Sequence, residues 1–210
     1  MTVWITTWRD LRAHHVKGIA VQLLLCFMAG TGMALYLREP AWSELLLGLG
    51  IASGGLLLGS TIISLGRLGR FSPAIKLAAY VPFRWLILQG AGPEKAAWIG
   101  LWASAAWLIL SLVIALILLW LSDDSLVDER DLLEMPLISR PFGPLNLAVG
   151  LSRIAEQTGY CLLAAWSPKL ALAPLIVAGF STEWKHPVAR QLVEMVVGFV
   201  VLAVGIGLLL

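Results

Sequence analysis

Charge is scarce in this sequence: 13% of its 210 residues are Asp, Glu, Lys or Arg, about half the share found in soluble domains. A chain with so little charge has too few polar side chains to cover a core of its own size, which excludes an ordinary water-soluble globule. The formal net charge is only +2 and no basic run is interleaved with aromatics, so nucleic acid is not an expected partner. The two cysteines, Cys26 and Cys161, sit in apolar stretches without a CxxC or a Cys/His pattern, and neither a disulfide nor a metal centre is expected from them. Histidine is limited to His14, His15 and His186. The first two are adjacent, so on a helix they point about 100° apart and make a poor chelate. The sequence holds no HExxH, no GxGxxG, no GxxxxGK followed by Ser or Thr, and no GxSxG. No catalytic residue, metal or cofactor is therefore expected. Any ATP hydrolysis or redox chemistry is assigned to a partner subunit.

What the chain has in abundance is apolar length: 59% of its residues are hydrophobic and the mean hydropathy is +0.86. A transmembrane helix needs about 20 apolar residues, so the chain has room for five or six spans in a single domain. The expected fold is an all-α polytopic transmembrane helix bundle of about six spans, preceded by an interfacial helix over 1–18. In that first segment Trp4, Trp8 and Leu11 share a helical face at i, i+4 and i+7, while Arg9 and Arg12 turn away. No cleavage signal follows, and the first span, about Ile19 to Leu37, is expected to be retained. A second span runs from about Leu45 to Leu65. Its Gly50, Gly54, Gly55 and Gly59 form small-xxx-small pairs, expected to make a packing groove for a neighbouring helix.

Residues 66–95 are basic, with Arg67, Arg70, Lys76, Arg84 and Lys95 against the single acid Glu94, and Pro73, Pro82 and Pro93 break them into short pieces. They are read as a cytoplasmic loop with short amphipathic helices. The third span follows from about Ala96 to Leu121. The charge sign then reverses, and residues 122–143 form an acidic segment that is expected outside. Basic loops lie on the cytoplasmic side, which puts the N-terminus and the 66–95 loop together inside a bacterial-type cytoplasmic membrane. Residues 145–180 are split into a span ending near Arg153 and another from about Gly159 to Phe180, and the last helix runs from about Leu192 to Leu210.

Ionisable residues at membrane depth are costly and are therefore candidate functional sites. Arg153 and Glu156, three apart, share one helical face and pair there, or else lie solvated in a turn between two spans. Glu194 lies one turn into the last helix, four residues after Arg190, where the pair can snorkel to the interface. Gln22 is a candidate for hydrogen bonding across helices. Most of the ten tryptophans fall near predicted span ends, as in an aromatic belt, whereas Trp102 and Trp107 lie deeper.

The stretch LQGAGPEKAAW, residues 88–98, follows the basic segment and leads straight into a span. It resembles the cytoplasmic coupling region of ABC-2-type transporter permeases. LAVGLSRIAEQTGYCLLAAWSPKLALAPLIVAGF is similar to the fourth and fifth spans of that family, which includes the haem-exporter membrane subunit of cytochrome c maturation. The resemblance implies a membrane subunit driven by a separate nucleotide-binding ATPase, paired with a second permease copy. It further implies that Pro82, Phe83, Arg84, Gly90, Gly92, Pro93 and Lys95 form the coupling surface, with the basic residues facing the partner. A second phrase, AGFSTEW (178–184), resembles one in the quinone-site subunit of complex I and related membrane-bound hydrogenases. That likeness implies a proton-translocating complex with Arg153, Glu156 and Glu183 as an ionisable relay. A third reading is a scaffold subunit that packs through its second span.

Overall fold

The computed structural model describes residues 7–37, 40–64, 83–122, 125, 144–167, 169–170 and 187–208. Five long helices make up most of this: α1 (Trp8–Tyr36), α2 (Trp42–Ser64), α3 (Pro93–Trp120), α4 (Pro144–Trp166) and α5 (Pro187–Gly207). A short helix over 83–88 precedes α3, and no strand occurs among the described residues. Helices α1 and α3 are long and apolar enough to cross a membrane, at 29 and 28 residues. At about 1.5 Å per residue each is roughly 42 Å long, more than the ~30 Å of a hydrocarbon core.

The helix starts are written locally. Thr7 caps α1 by accepting the Asp10 N–H at 3.1 Å. At α2, Glu44 reaches back to accept the Ala41 N–H at 2.9 Å, which is half of a capping box. Pro93, Pro144 and Pro187 each open a helix, where a missing N–H costs nothing. Between the short helix and α3 the chain turns sharply at Gly90, whose φ of 77° is the left-handed conformation that glycine adopts without strain.

Glycines set how closely the helices approach. A Cβ on Gly48 of α2 would lie 2.8 Å from the Ala103 nitrogen of α3. One on Gly100 of α3 would lie 2.6 Å from the Thr158 Cα of α4, and one on Gly159 of α4 would lie 2.7 Å from the Leu202 nitrogen of α5. In each case backbone meets backbone, which is how helices gain van der Waals contact where burial from water gives little drive. Helix α4 is central: it packs against α1, α3 and α5. Its residues 160–164 are buried together with Ile51, Leu88, Ile99 and Val201.

The directions of the helices differ from those the loop charges imply. Cys26 faces the Leu101 carbonyl while Arg12 donates to the Leu118 carbonyl, so α1 and α3 are antiparallel. Trp8 N–H also donates to the Ser125 carbonyl at 3.1 Å. The basic start of α1 therefore lies at the same end of the bundle as the start of the acidic segment, and residues 90–95 lie at the other end. The loop charges, by contrast, imply one side for the N-terminus and the 66–95 loop, of which residues 66–82 lie outside those described. A further difference concerns the first segment: α1 runs unbroken from Trp8, so the amphipathic residues 8–18 continue directly into the apolar run.

The expected break near Arg153 does not occur either: α4 is a single helix of 23 residues through that position. Helices α4 and α5 are parallel, since Ser152 meets Gly198, Gly159 meets Val201, and Leu162 meets Gly205. The chain thus leaves α4 at one end of the bundle and enters α5 at the other. Of the predicted span Gly159–Phe180, residues 159–166 form the end of α4, while 168 and 171–180 lie outside those described, as do residues 65–82 and most of 122–143.

Candidate functional site: an ionisable cluster along α4

The bundle is apolar on its outside as well as in its core, with a few polar side chains buried among the core residues. Its outer surface carries Phe27, Leu35, Leu57, Ile114, Ile117 and Val200 among many large apolar side chains, all exposed. Its interior holds Gln22, Arg84, Ser152 and Thr158, each less than 7% exposed. In water such a protein would expose a far larger apolar patch than a monomer tolerates.

The polar part of the interior is organised by one stripe of α4. Arg153, Glu156, Gln157 and Tyr160 recur at i, i+3, i+4 and i+7, so they line one face. The short helix brings Arg84 onto this stripe. Arg84 is 3% exposed; its Nη2 donates to the Gln157 side-chain oxygen, and its guanidinium carbon lies 5.4 Å from the centre of the Tyr160 ring. Planar stacking combined with a directed N–H bond is a geometry that arginine satisfies and lysine does not. One turn earlier on α4, the Arg153 guanidinium lies 6.0 Å from the Trp107 ring of α3. Glu194 of α5 is close enough for its charge to act on both Arg153 and Glu156, and His15 of α1 feels the charge of Arg153. Two arginines and two glutamates from three elements are thus gathered, with Arg84 buried and the other three half-buried.

Around them lie polar atoms that make no hydrogen bond to protein among the described residues: the Gln22 amide, Thr158 Oγ1, Tyr160 Oη and Trp102 Nε1. Buried groups of this kind ordinarily hold water. No group of three or more His, Cys, Asp or Glu side chains suited to a metal occurs among the described residues.

The residues singled out from sequence fall in several places. Arg153, Glu156 and Glu194 come together. The side chain of Arg190 and all of Glu183 and Pro82 lie outside the described residues. Phe83 packs its ring against Gly54 of α2. Arg84 points inward, onto Gln157 and Tyr160. Gly90 makes the turn, Gly92 is the N-cap of α3 and Pro93 its first residue. Lys95 is half-buried in the first turn of α3. Of the four glycines expected to form a groove, Gly50 has open space beside it among the described residues, Gly54 receives Phe83, and Gly55 and Gly59 lie in the body of α2. The close approach to α3 is made by Gly48, which was not singled out.

Sequence reasoning also passed over Gln157, Thr158 and Tyr160. The spacing of 153, 156, 157 and 160 was a legible signal for the stripe. Comparison with protein-family models, with characterised proteins and with solved structures finds no match to this chain.

Proposed function

We propose that this chain is a multi-span membrane protein that serves as the helical subunit of a translocation complex, with the α4 cluster on the route that an ion or small solute takes. The carrying observation is the cluster itself: a buried Arg84 together with half-buried Arg153, Glu156 and Glu194, in a bundle whose outside is apolar. Ionisable groups at such depth are expensive to hold in hydrocarbon. This geometry favours the proton-translocating class over a bare scaffold.

One observation supports an ABC-2-type permease instead. The short helix over 83–88 is joined to α3 through a tight turn at Gly90, and Gly92, Pro93 and Glu94 are exposed beyond it. A partner pressing on that edge would move α3. The inward set of Arg84 weighs against this reading, since it removes one of the two basic residues offered to the partner.

The test is purification of the tagged chain in mild detergent from alkaline-washed membranes, with mass spectrometry of what comes with it. Retention in the washed membrane together with ion-translocating or redox subunits supports the proposal. A co-purifying nucleotide-binding ATPase establishes the permease reading in its place. Release of the chain by the alkaline wash refutes both.

A further inference from the structure

We propose that the Glu156 carboxyl is a proton-binding site inside the bundle, so that the ion handled by the cluster is the proton. This rests on the translocation reading above and names its ion.

Glu156 stands where the polar elements converge. Arg153 precedes it by three residues on the same stripe, and Tyr160 follows by four. Arg84 reaches it from the short helix and Glu194 from α5, and the charges of both, with that of Arg153, act on it. From α1, His15 faces Arg153. Helix α3 presents Trp107 here, and its only titratable side chains, Glu94 and Lys95, lie in its first turn. Two carboxylates before two arginines make a cluster that is neutral when all four are ionised. It becomes singly positive when one carboxylate takes a proton, with both arginine charges still facing the remaining glutamate. Coupled carboxyl groups of this kind exchange protons as a unit.

The position along the helix selects Glu156 over Glu194. Glu156 has buried polar atoms without protein partners, among the described residues, on both sides of it along the α4 axis. On one side Gln22 packs against Gly150, six residues and about 9 Å before it at ~1.5 Å per residue. On the other is Tyr160 Oη, one turn further along the same face. Water bonded to these groups would carry a proton to Glu156 from one end and away toward the other. The step itself forms one O–H bond on the carboxylate and later breaks it, with no change of oxidation state. Gly198 of α5 leaves the room beside this residue, since a Cβ there would lie 3.3 Å from the Glu156 Cβ.

The experiment is infrared difference spectroscopy of the full chain in lipid nanodiscs, titrated between roughly pH 5 and 9, the range in which buried carboxyl groups are known to titrate. The expected result is a carboxylic-acid carbonyl band that disappears as pH rises. It should be lost in Glu156→Gln, be moved in Glu156→Asp, and persist in Glu194→Gln. A band that survives Glu156→Gln, or a wild-type spectrum in which no such band titrates, overturns the proposal. If Glu156→Gln does not fold, Glu156→Asp decides: a band unmoved in that variant overturns the assignment. Failure of the chain to enter the bilayer would instead overturn the membrane reading, an outcome distinct from an embedded protein without a titrating carboxyl.

Discussion

The glycine seam between α4 and α5 permits a quantitative test. A Cβ on residue 159 would sit 2.7 Å from the Leu202 nitrogen and 2.8 Å from the Val201 carbonyl carbon. Both neighbours are backbone, so no rotamer change relieves the overlap and the helices must part by roughly 1 Å, which overpacks the seam at a cost of about 1–3 kcal/mol. Gly50 of α2 has nothing among the described residues within 4 Å of its would-be Cβ. Alanine gains about 1 kcal/mol over glycine in a helix interior at either position, so that contribution cancels when the two variants are compared. Gly159→Ala should therefore be less stable than Gly50→Ala by about 1–3 kcal/mol. For a chain of this size that is a separation in Tm of about 2–12 °C. Thermal unfolding of both variants in the same detergent, followed by tryptophan fluorescence, measures it. Equal shifts of the same sign in the two variants would refute the close approach of α4 and α5 at residue 159.

Two further outcomes are expected. In a Cys26→Ala, Cys161→Ala background, single cysteines at Thr7 and Ser125 should react with an impermeant maleimide from one side of the membrane. A cysteine at Gly92 should react from the other side, and labelling of Thr7 and Ser125 from opposite sides would sink the antiparallel α1–α3 arrangement. Arg84→Lys should lower stability by about 1.5–3 kcal/mol, the scale of a hydrogen bond to a charged group, because lysine cannot both stack on Tyr160 and bond Gln157. An unfolding midpoint unchanged in this variant would mean that Arg84 does not point inward.

Much of the helical architecture was legible because apolar length and proline placement are local properties. Trp42 to Ser64 and Pro93 to Trp120 fall close to the second and third predicted spans. The α4 stripe was half legible. Arg153 and Glu156 were recognised as sharing a face, yet a charged pair between two apolar runs also has the composition of a span boundary. What keeps α4 continuous is tertiary: Arg84 and Glu194 arrive from elements distant in sequence and meet the charges within the bundle. The packing glycines show the same limit. Spacing identifies which glycines share a face, but not how far the helix is rotated toward its neighbour. Gly48 and Gly50 lie about 200° apart around α2, and the one chosen by α3 is Gly48.

The composition of the cluster also has a consequence for biogenesis. In order of synthesis, Arg84 precedes α4 and Glu194 follows it. When α4 first leaves the insertion machinery, its own arginine and glutamate are accompanied by one of their two remote charges, and the second is supplied only after α5 has been made. Until then, α4 would present the side destined for α5, with Gly159 and Ser152 on it, to whatever surrounds the nascent chain. A chaperone or a partner subunit that shields that side during assembly would be occupying a place that the chain's own last helix later claims.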